Sequence, residues 1–272
     1  MKIHPSAIVH PEARIAADVE IGPGVVIESP AVIGAGCVLL AHAVLTGEVT
    51  LGKNNRIGYG AILGAPAQDL SSGPDTRSQL ILGDGNTVRE YCTLHRGAKE
   101  GSVTRVGDGN LLMAGAHVGH NATVGNGVII ANNVLLGGHV VVGDGVFLGG
   151  ASVFHQHIHV GRRAISQGNS AFSKDLPPYM VGTGVNQVAG LNILGMRRAG
   201  LTPAQRSEVK EAFKLVYKSG LNLRQALERA AGREWGENAR AFLDFVAASG
   251  KRGISALGAR KRTQTGPEEA EA

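Results

Sequence analysis

Histidine is the residue type in this chain that most directly suggests chemistry. Ten histidines occur among 272 residues. Six of them fall within one stretch: His117, His120, His139, His155, His157 and His159. Near neutral pH an imidazole can accept a proton from a hydroxyl group, as a general base, or bind a metal such as zinc. Either chemistry needs several of these side chains on one surface, so it depends on the elements that carry them.

An aliphatic residue at every sixth position organises most of the chain. The first run consists of Ile3, Val9, Ile15, Ile21, Ile27, Ile33, Leu39, Leu45, Leu51, Ile57 and Leu63. A second run, shifted by one position, extends from Leu82 to Val160, and glycine often follows the aliphatic residue. A period of six fits neither a helix nor a continuous strand, but it fits short strands joined by turns. Such turns stack with their strands paired in parallel and their aliphatic side chains inside, so the sequence predicts a parallel β-helix.

The same period predicts where the histidines lie. If each coil holds three six-residue units, His139 and His157 are one 18-residue coil apart, and His120 precedes His139 by one coil plus one residue. They therefore line one edge of the β-helix. Two polar interruptions, near residues 65–79 and 97–105, predict loops that leave a corner of the coil. Cys37 and Cys92 fall in inward positions and are expected to be core thiols.

The repeat fades after Phe172, which divides the chain into three parts. We expect a β-helix domain over residues 1–189, a helical domain over 190–259 and a disordered tail over 260–272. Thr202-Pro203-Ala204-Gln205 has the pattern of a capping box with proline at the first helical position. Asn222 can cap a second helix, and Phe242 belongs to the apolar side of a third.

Charge and hydropathy indicate the kind of partner. Residues 1–189 carry 12 Lys and Arg against 13 Asp and Glu, whereas residues 190–272 carry 15 against 9. The basic end suggests an acidic partner. No nucleic-acid-binding motif accompanies it, so nucleic acid is not expected. The chain has no apolar stretch that predicts a membrane span or a signal peptide, so a cytoplasmic protein without a membrane span is expected.

Residues 110–126, which include His117-Val118-Gly119-His120, resemble a known family. Together with Gln68-Asp69-Leu70 and Asp175-Leu176-Pro177-Pro178-Tyr179, they are similar to the UDP-N-acetylglucosamine O-acyltransferases, hexapeptide-repeat enzymes of lipid A biosynthesis. The resemblance covers nearly the whole chain. It implies an all-β left-handed parallel β-helix followed by a C-terminal α-helical region, assembled as a homotrimer with active sites between adjacent chains. It also implies transfer of a (R)-3-hydroxyacyl group from acyl carrier protein to the 3-hydroxyl of UDP-N-acetylglucosamine. The carrier-protein thioester is then a co-substrate, and no metal or cofactor is expected.

The resemblance further implies a role for individual residues. His120 corresponds to the general base, and the backbone N–H of Gly138 to the donor that stabilises the oxyanion. The residues implied in substrate binding are Gln68, Asp69, His117, His139, His155, Gln156, Asn192 and Arg198. Gly168 corresponds to the end of the acyl groove, and without a side chain there the groove would accept about 14 carbons.

Four residues depart from the commonest family pattern, and several alternatives stay open. Ser71 replaces a lysine, Asn121 a carboxylate, Leu194 a glutamate and Ala199 an arginine. The nearest alternative is the same reaction on a UDP-sugar with a 3-amino group. The others are a zinc enzyme similar to the γ-class carbonic anhydrases, with His117, His120 and His139 as ligands, and a non-catalytic scaffold.

Overall fold

Short strands make up most of the part of the chain that the computed structural model describes, residues 2–73 and 75–258. The first 26 strands are β1 (Lys2–Ile3), β2 (Ile8–Val9), β3 (Arg14–Ile15), β4 (Glu20–Ile21), β5 (Val26–Ile27), β6 (Val32–Ile33), β7 (Val38–Leu39), β8 (Val44–Leu45), β9 (Glu48–Leu51), β10 (Arg56–Ile57), β11 (Ile62–Ala65), β12 (Gln79–Leu82), β13 (Thr87–Val88), β14 (Thr93–His95), β15 (Val103–Val106), β16 (Leu111–Leu112), β17 (His117–Val118), β18 (Thr123–Val124), β19 (Ile129–Ile130), β20 (Leu135–Leu136), β21 (Val141–Val142), β22 (Phe147–Leu148), β23 (Val153–Phe154), β24 (His159–Val160), β25 (Ile165–Ser166) and β26 (Ala171–Phe172).

Successive strands belong in turn to three parallel sheets, which form the three sides of a prism. The first sheet begins β1-β4-β7, the second β2-β5-β8, and the third contains β3, β6 and β9. In the coils without an inserted loop, paired residues are 18 apart, as in Lys2 with Glu20, which confirms the predicted coil. The second residue of each two-residue strand points inward, because the pleat alternates the side chains. The aliphatic residues of the six-residue period therefore form one continuous core with Cys37 and Cys92, which are fully buried as predicted.

The chain turns three times in each coil, which defines three edges of the prism. The first edge, between the first and second sheets, carries Gly168; the second edge, between the second and third sheets, carries His120; the third edge carries Arg163. Residues at the turns adopt positive φ, for example Asn121 at 60° and His139 at 61°. Asparagine tolerates this left-handed conformation better than most residues do.

Both loops leave the prism at the second edge. The first loop, residues 66–78, joins β11 to β12, and the second, residues 96–102, joins β14 to β15. The second loop ends earlier than the predicted 105, because Val103–Val106 already pairs with Gln79–Leu82 as a four-residue strand. Two long segments therefore pack beside the edge that carries His120.

The solenoid ends in a hairpin and a small helical region. β27 (Met180–Thr183) continues the first sheet, and β28 (Gln187–Leu191) pairs with it antiparallel. The helices are α1 (Ile193–Arg198), α2 (Pro203–Lys218), α3 (Leu223–Ala231) and α4 (Glu237–Ala248). The predicted capping box of α2 is confirmed, and Asn222 caps α3 in the same way. A last strand, β29 (Ala256–Leu257), pairs with β28, so the region predicted as helical ends in a strand. The expected tail, residues 260–272, lies outside the described residues.

Candidate active site

The second edge collects the polar residues of a cleft of about 320 Å³. Its lining combines four successive coils with the first loop: Gln68, His95, His117, Gly119, His120, Gly137, Gly138, Phe154, His155 and Gln156. Most residues from the coils share this edge because they follow the inward residue of a second-sheet strand by one or two positions, whereas His117 and Phe154 belong to the strands themselves. Six of the predicted site residues therefore meet in one cleft.

His120 is buried and its ring is held by its neighbour along the chain. The Asn121 carboxamide oxygen lies 3.0 Å from His120 Nδ1 and also accepts a hydrogen bond of 2.9 Å from the Ala98 backbone N–H. Because the oxygen already accepts from a backbone donor, the amide is oriented with its oxygen toward the ring, and Nδ1 must donate. In the neutral ring, Nε2 then carries no proton and can accept one.

Gly138 lies directly against the reactive nitrogen of His120. A methyl group at residue 138 would lie 2.5 Å from both Nε2 and Cε1 of the ring, so any side chain there would displace the imidazole. Among the described residues, the Gly138 N–H has no hydrogen-bond acceptor. The close approach that glycine permits thus brings a backbone donor and an imidazole acceptor to the same small volume.

The first loop brings a carboxylate to the same place. Asp69 Oδ2 lies 3.9 Å from His120 Nε2. Its other oxygen accepts two hydrogen bonds from Ser71, from the backbone N–H at 2.9 Å and from the hydroxyl at 2.8 Å. These bonds, with a smaller contribution from the charges of His120 and His139, lower the pKa of Asp69. Ser71, which replaces the lysine of the common family pattern, therefore fixes the orientation of Asp69.

Two further histidines form the wall of the cleft nearer the N-terminal end of the β-helix. The His117 ring lies 5.1 Å from the His95 ring, and Thr93 Oγ1 is 2.8 Å from His117 Nδ1. Burial, with the neighbouring His95 and His120, lowers the pKa of His117 to about 4. His95, which the sequence analysis did not select, donates from Nδ1 to the Pro66 carbonyl at 2.6 Å and so ties the first loop to the prism. Its position immediately after the inward Leu94, as Gly119 follows Val118, is the signal that would have identified it.

His139 packs against His120 from outside the cleft lining. Its ring meets the His120 ring edge to face at 5.2 Å and stacks on His157 at 4.4 Å. Burial and the neighbouring His157 and His120 lower the pKa of His139. The predicted alignment of these three histidines along one edge is therefore confirmed.

An apolar groove of about 500 Å³ continues from the cleft along the outer face of the second sheet. Leu135, Val153 and Val185 line it and expose 46%, 39% and 69% of their surface. Gln68, His117 and His155 line both the groove and the cleft. The arrangement suits a substrate with a polar reacting end and an aliphatic chain.

Three predicted residues lie at a distance from this cleft in the same chain. Gly168 belongs to the first edge. Asn192 caps α1 by accepting from the Gly195 N–H and donates to the carbonyl of Arg163, which lies on the third edge. Arg198 is an exposed residue in the last turn of α1. Within one chain, the fold does not bring these residues to His120.

The histidine cluster has no arrangement typical of a metal centre. Among residues 2–73 and 75–258, no group of three His, Cys, Asp or Glu side chains is placed to hold a metal ion. The geometry instead combines a base, a backbone donor and a carboxylate around one open volume. Such a set of groups suits acyl transfer to an alcohol.

Comparison with known proteins agrees with this chemistry. A family profile described as UDP N-acetylglucosamine O-acyltransferase, domain 2, matches residues 175–255, and a bacterial transferase hexapeptide profile of six repeats matches residues 104–138. An acyl-[acyl-carrier-protein]–UDP-N-acetylglucosamine O-acyltransferase from Anaeromyxobacter sp. (strain Fw109-5) is 45% identical over 229 residues, which are 84% of this chain and 89% of the relative. The chain belongs to the UDP-N-acetylglucosamine O-acyltransferase family. Another family member, from Gloeothece citriformis (strain PCC 7424), is 40% identical over 71% of this chain and 70% of its own length.

Solved structures of the family share the whole architecture. The UDP-N-acetylglucosamine acyltransferase of Francisella novicida superposes with a TM-score of 0.89 at 33% identity, over 95% of each chain. The corresponding protein of Acinetobacter baumannii gives 0.88 at 38% identity, over 93% of this chain and 98% of the other. The predicted fold, a left-handed parallel β-helix followed by a C-terminal helical region, is confirmed. Family membership makes this chain an acyltransferase, so the zinc-enzyme and scaffold alternatives are not favoured.

Proposed function

We propose that the chain transfers a (R)-3-hydroxyacyl group from acyl carrier protein to the 3-hydroxyl of UDP-N-acetylglucosamine, the first step of lipid A biosynthesis. The observation that carries this proposal is His120, whose Nδ1 is hydrogen-bonded to Asn121 and whose Nε2 lies adjacent to Gly138, in a cleft that continues into an apolar groove. We expect no cofactor besides the thioester of the carrier protein. We also expect the reaction to occur in the cytoplasm, since both co-substrates are water-soluble.

His120 serves as the general base in this proposal. Its Nε2 takes the proton of the sugar hydroxyl while the hydroxyl oxygen attacks the thioester carbonyl carbon. The tetrahedral intermediate then collapses, the C–S bond breaks, and the protonated imidazole returns the proton to the leaving thiolate. An ester and the free thiol of the carrier protein are the products, without an acyl-enzyme.

Gly138 and the first loop complete the reaction geometry. The backbone N–H of Gly138 donates to the oxyanion of the intermediate, where charge develops. Asp69 and Gln68 bind the sugar, and His117, His139, His155 and Gln156 form the surrounding walls of the substrate site. Because Asp69 is oriented by Ser71, it is positioned before substrate arrives.

The site is completed by a second chain in a homotrimer. Gly168 and Asn192 lie on the two prism edges that do not carry His120, and Arg198 follows Asn192 in α1. The outer faces beside the first edge carry exposed apolar side chains, with Phe147 exposed by 37% on the first sheet and Leu135 by 46% on the second. A neighbouring chain that covers the groove would bring its own Gly168 to the end of the acyl chain, and its Asn192 and Arg198 to the nucleotide.

The helical region is the part of the chain that binds the carrier protein in this proposal. Residues 190–272 carry 15 basic against 9 acidic residues. Acyl carrier protein is acidic, so long-range attraction would accelerate their encounter. Among the described residues, no helix combines the length and apolarity that a membrane crossing needs.

The test is mass spectrometry of the product formed from a panel of hydroxyacyl carrier proteins with UDP-N-acetylglucosamine or its 3-amino analogue. We expect an ester of the glucosamine sugar with a chain of about 14 carbons, since Gly168 leaves the groove open. His120→Ala should lower the rate about 10²- to 10⁴-fold, the usual contribution of a general base. His157→Ala, which removes a nearby imidazole that does not line the cleft, serves as the control. Unchanged transfer by His120→Ala would overturn the proposed mechanism, and preference for the amine would correct the acceptor.

A further inference from the structure

The last described residues form a strap that returns from the helices to the end of the solenoid. We call residues 249–258 the C-terminal strap. Its Gly253 carbonyl accepts from the Asp175 N–H at 3.0 Å, and its Ser255 N–H donates to the Asp175 carbonyl at 2.8 Å. The strap ends in β29, which pairs with β28. Main-chain bonds thus hold it against the last turns of the β-helix.

Buried groups fix the position of the strap from both sides. The Tyr217 hydroxyl of α2 donates to the Ser255 carbonyl at 3.0 Å, and Ser255 is fully buried. On the solenoid side, the buried carboxylate of Asp175 accepts from the His159 N–H at 2.8 Å. The strap therefore has a defined position relative to the coil that carries His155 and His159.

This position brings Arg252 to His155, which precedes it by 97 residues. The two side chains meet with 3.0 Å between Arg252 Nη1 and His155 Nδ1. A guanidinium group can only donate, so this contact requires Nδ1 to accept and favours the tautomer with the ring proton on Nε2. The Gln156 carbonyl, also 3.0 Å from Nδ1, favours the opposite tautomer, because a carbonyl can only accept. The choice between the two tautomers thus depends on Arg252.

His155 occupies the place where the apolar groove meets the catalytic cleft, since it lines both. An acyl chain that lies in the groove with its carbonyl carbon near His120 must pass this residue. The carbonyl oxygen of the acyl group can only accept a hydrogen bond, and the hydroxyl group can accept or donate one. A proton on Nε2 of His155 would therefore allow this ring to donate to either oxygen.

We propose that Arg252 is a positioning residue for acyl-donor recognition: it fixes the tautomer of His155 so that Nε2–H donates to an oxygen of the acyl group. The inference rests on the proposed function, because it takes the acyl group as the occupant of the groove. Arg252 itself does not touch the reacting atoms. It connects the C-terminal strap to the substrate site through one side chain.

Steady-state kinetics of three strap variants tests this role. Arg252→Met removes the donor while keeping the approximate length of the side chain. It should raise the KM for the acyl carrier protein about five- to tenfold, the usual loss for the one neutral hydrogen bond that His155 would no longer donate. The kcat and the KM for the UDP-sugar should change little. Arg252→Lys keeps a donor and should restore most of the affinity. Lys251→Met removes an equal charge from the adjacent exposed residue and is the matched control. It should show only the small, salt-dependent loss of long-range attraction, well below the effect of Arg252→Met.

A second variant, His155→Gln, tests whether Arg252 acts through His155. His155→Gln places an amide nitrogen near the location of Nε2, and this donor needs no tautomer choice. Adding Arg252→Met to His155→Gln should therefore cause no further change, whereas additive losses would show that Arg252 acts elsewhere. Nitrogen-15 NMR of His155 should show the proton on Nε2 in the parent and a shift toward Nδ1 in Arg252→Met.

Two results would overturn the inference. One is an equal effect of Arg252→Met and Lys251→Met, which would indicate general attraction of an acidic partner. The other is an unchanged KM in Arg252→Met with an active parent enzyme. A parent that transfers no acyl group would instead contradict the proposed function, so the two failures are distinguishable.

Discussion

The carboxamide of Asn121 orients the base without adding a charge beside it. Its oxygen is shared between His120 Nδ1 and the Ala98 N–H, which lies in the second loop. The family pattern more often has a carboxylate at this position, which can accept from the same two donors. The sequence identifies the substitution, but it cannot reveal Ala98 as the group that orients the amide, because the two residues are brought together only by the path of the loop.

His117 makes the stability of the folded protein depend on pH. In the unfolded chain its imidazole binds a proton near the ordinary value of 6.5, whereas the folded protein holds the pKa at about 4. Between these values the unfolded state binds more protons, so acidification through this window favours unfolding. His117→Asn keeps a polar group near Thr93 but does not titrate, and its urea midpoint should fall less than that of the parent from pH 6.5 to 4. Some slope should remain because burial also lowers the pKa of His95. Identical slopes in parent and variant would contradict the assignment.

At the scale of elements, a buried asparagine ladder holds the coils together along the third edge. Asn55, Asn86 and Asn110 are almost completely buried. The oxygen of Asn86 accepts from the N–H and the side-chain amide of Asn110, both at 2.9 Å, and the oxygen of Asn55 accepts the equivalent pair from Asn86 at 2.9 and 3.0 Å. Each amide thus satisfies the backbone of the next coil, which a hydrophobic residue could not do.

Removing the central rung should therefore be costly. Asn86→Ala leaves two buried donors of Asn110 without an acceptor and should lower the free energy of unfolding by about 2–4 kcal/mol. Urea denaturation of the variant measures this change. Thr123→Ala, on the exposed outer face of the third sheet, should have little effect. Equal stability of the two variants would mean that the ladder does not stabilise the coils.

The regular elements follow from the sequence more readily than the connections between them. The six-residue period predicts the prism because each aliphatic residue reports an inward position, and the capping residues predict α2 and α3 because they act locally. The start of β15 was missed because Thr104 and Arg105 are polar and their strand is recognised only by its partner β12. β29 likewise depends on its pairing with β28, which is distant in sequence. The position of the histidines on one edge was predicted from the coil length. The tautomers of His120 and His155, however, depend on contacts that the sequence pattern does not predict.

At the scale of the whole molecule, the three edges of the prism separate residues that the reaction needs together. His120 lies on the second edge, and Arg198 follows the α1 cap that is bonded to Arg163 on the third. In the proposed homotrimer, neighbouring copies around a threefold axis would bring His120 of one chain and Arg198 of the next to the same substrate. If the active site is shared between chains in this way, the activity of assemblies that mix two variants can be calculated.

Co-expression of His120→Ala and Arg198→Ala chains should recover activity that neither variant has alone. If each site takes His120 from one chain and Arg198 from the next, random mixing at equal amounts leaves about one quarter of the sites intact. The readout is acyl transfer by the purified mixture, compared with each variant assembled separately. A mixture no more active than its components would place both residues in a site within one chain.

The spacing of 18 residues between paired strands in the uninterrupted coils also restricts how the gene for this protein can vary in length. Loss or gain of one codon within the uninterrupted coils, for example between Asn110 and His155, would exchange inward and outward side chains in every later strand until a loop absorbed the shift. Length variation among related genes should therefore concentrate in the segments encoding residues 66–78 and 96–102. Duplication of a whole coil upstream of these segments would keep inward side chains inward in every later strand.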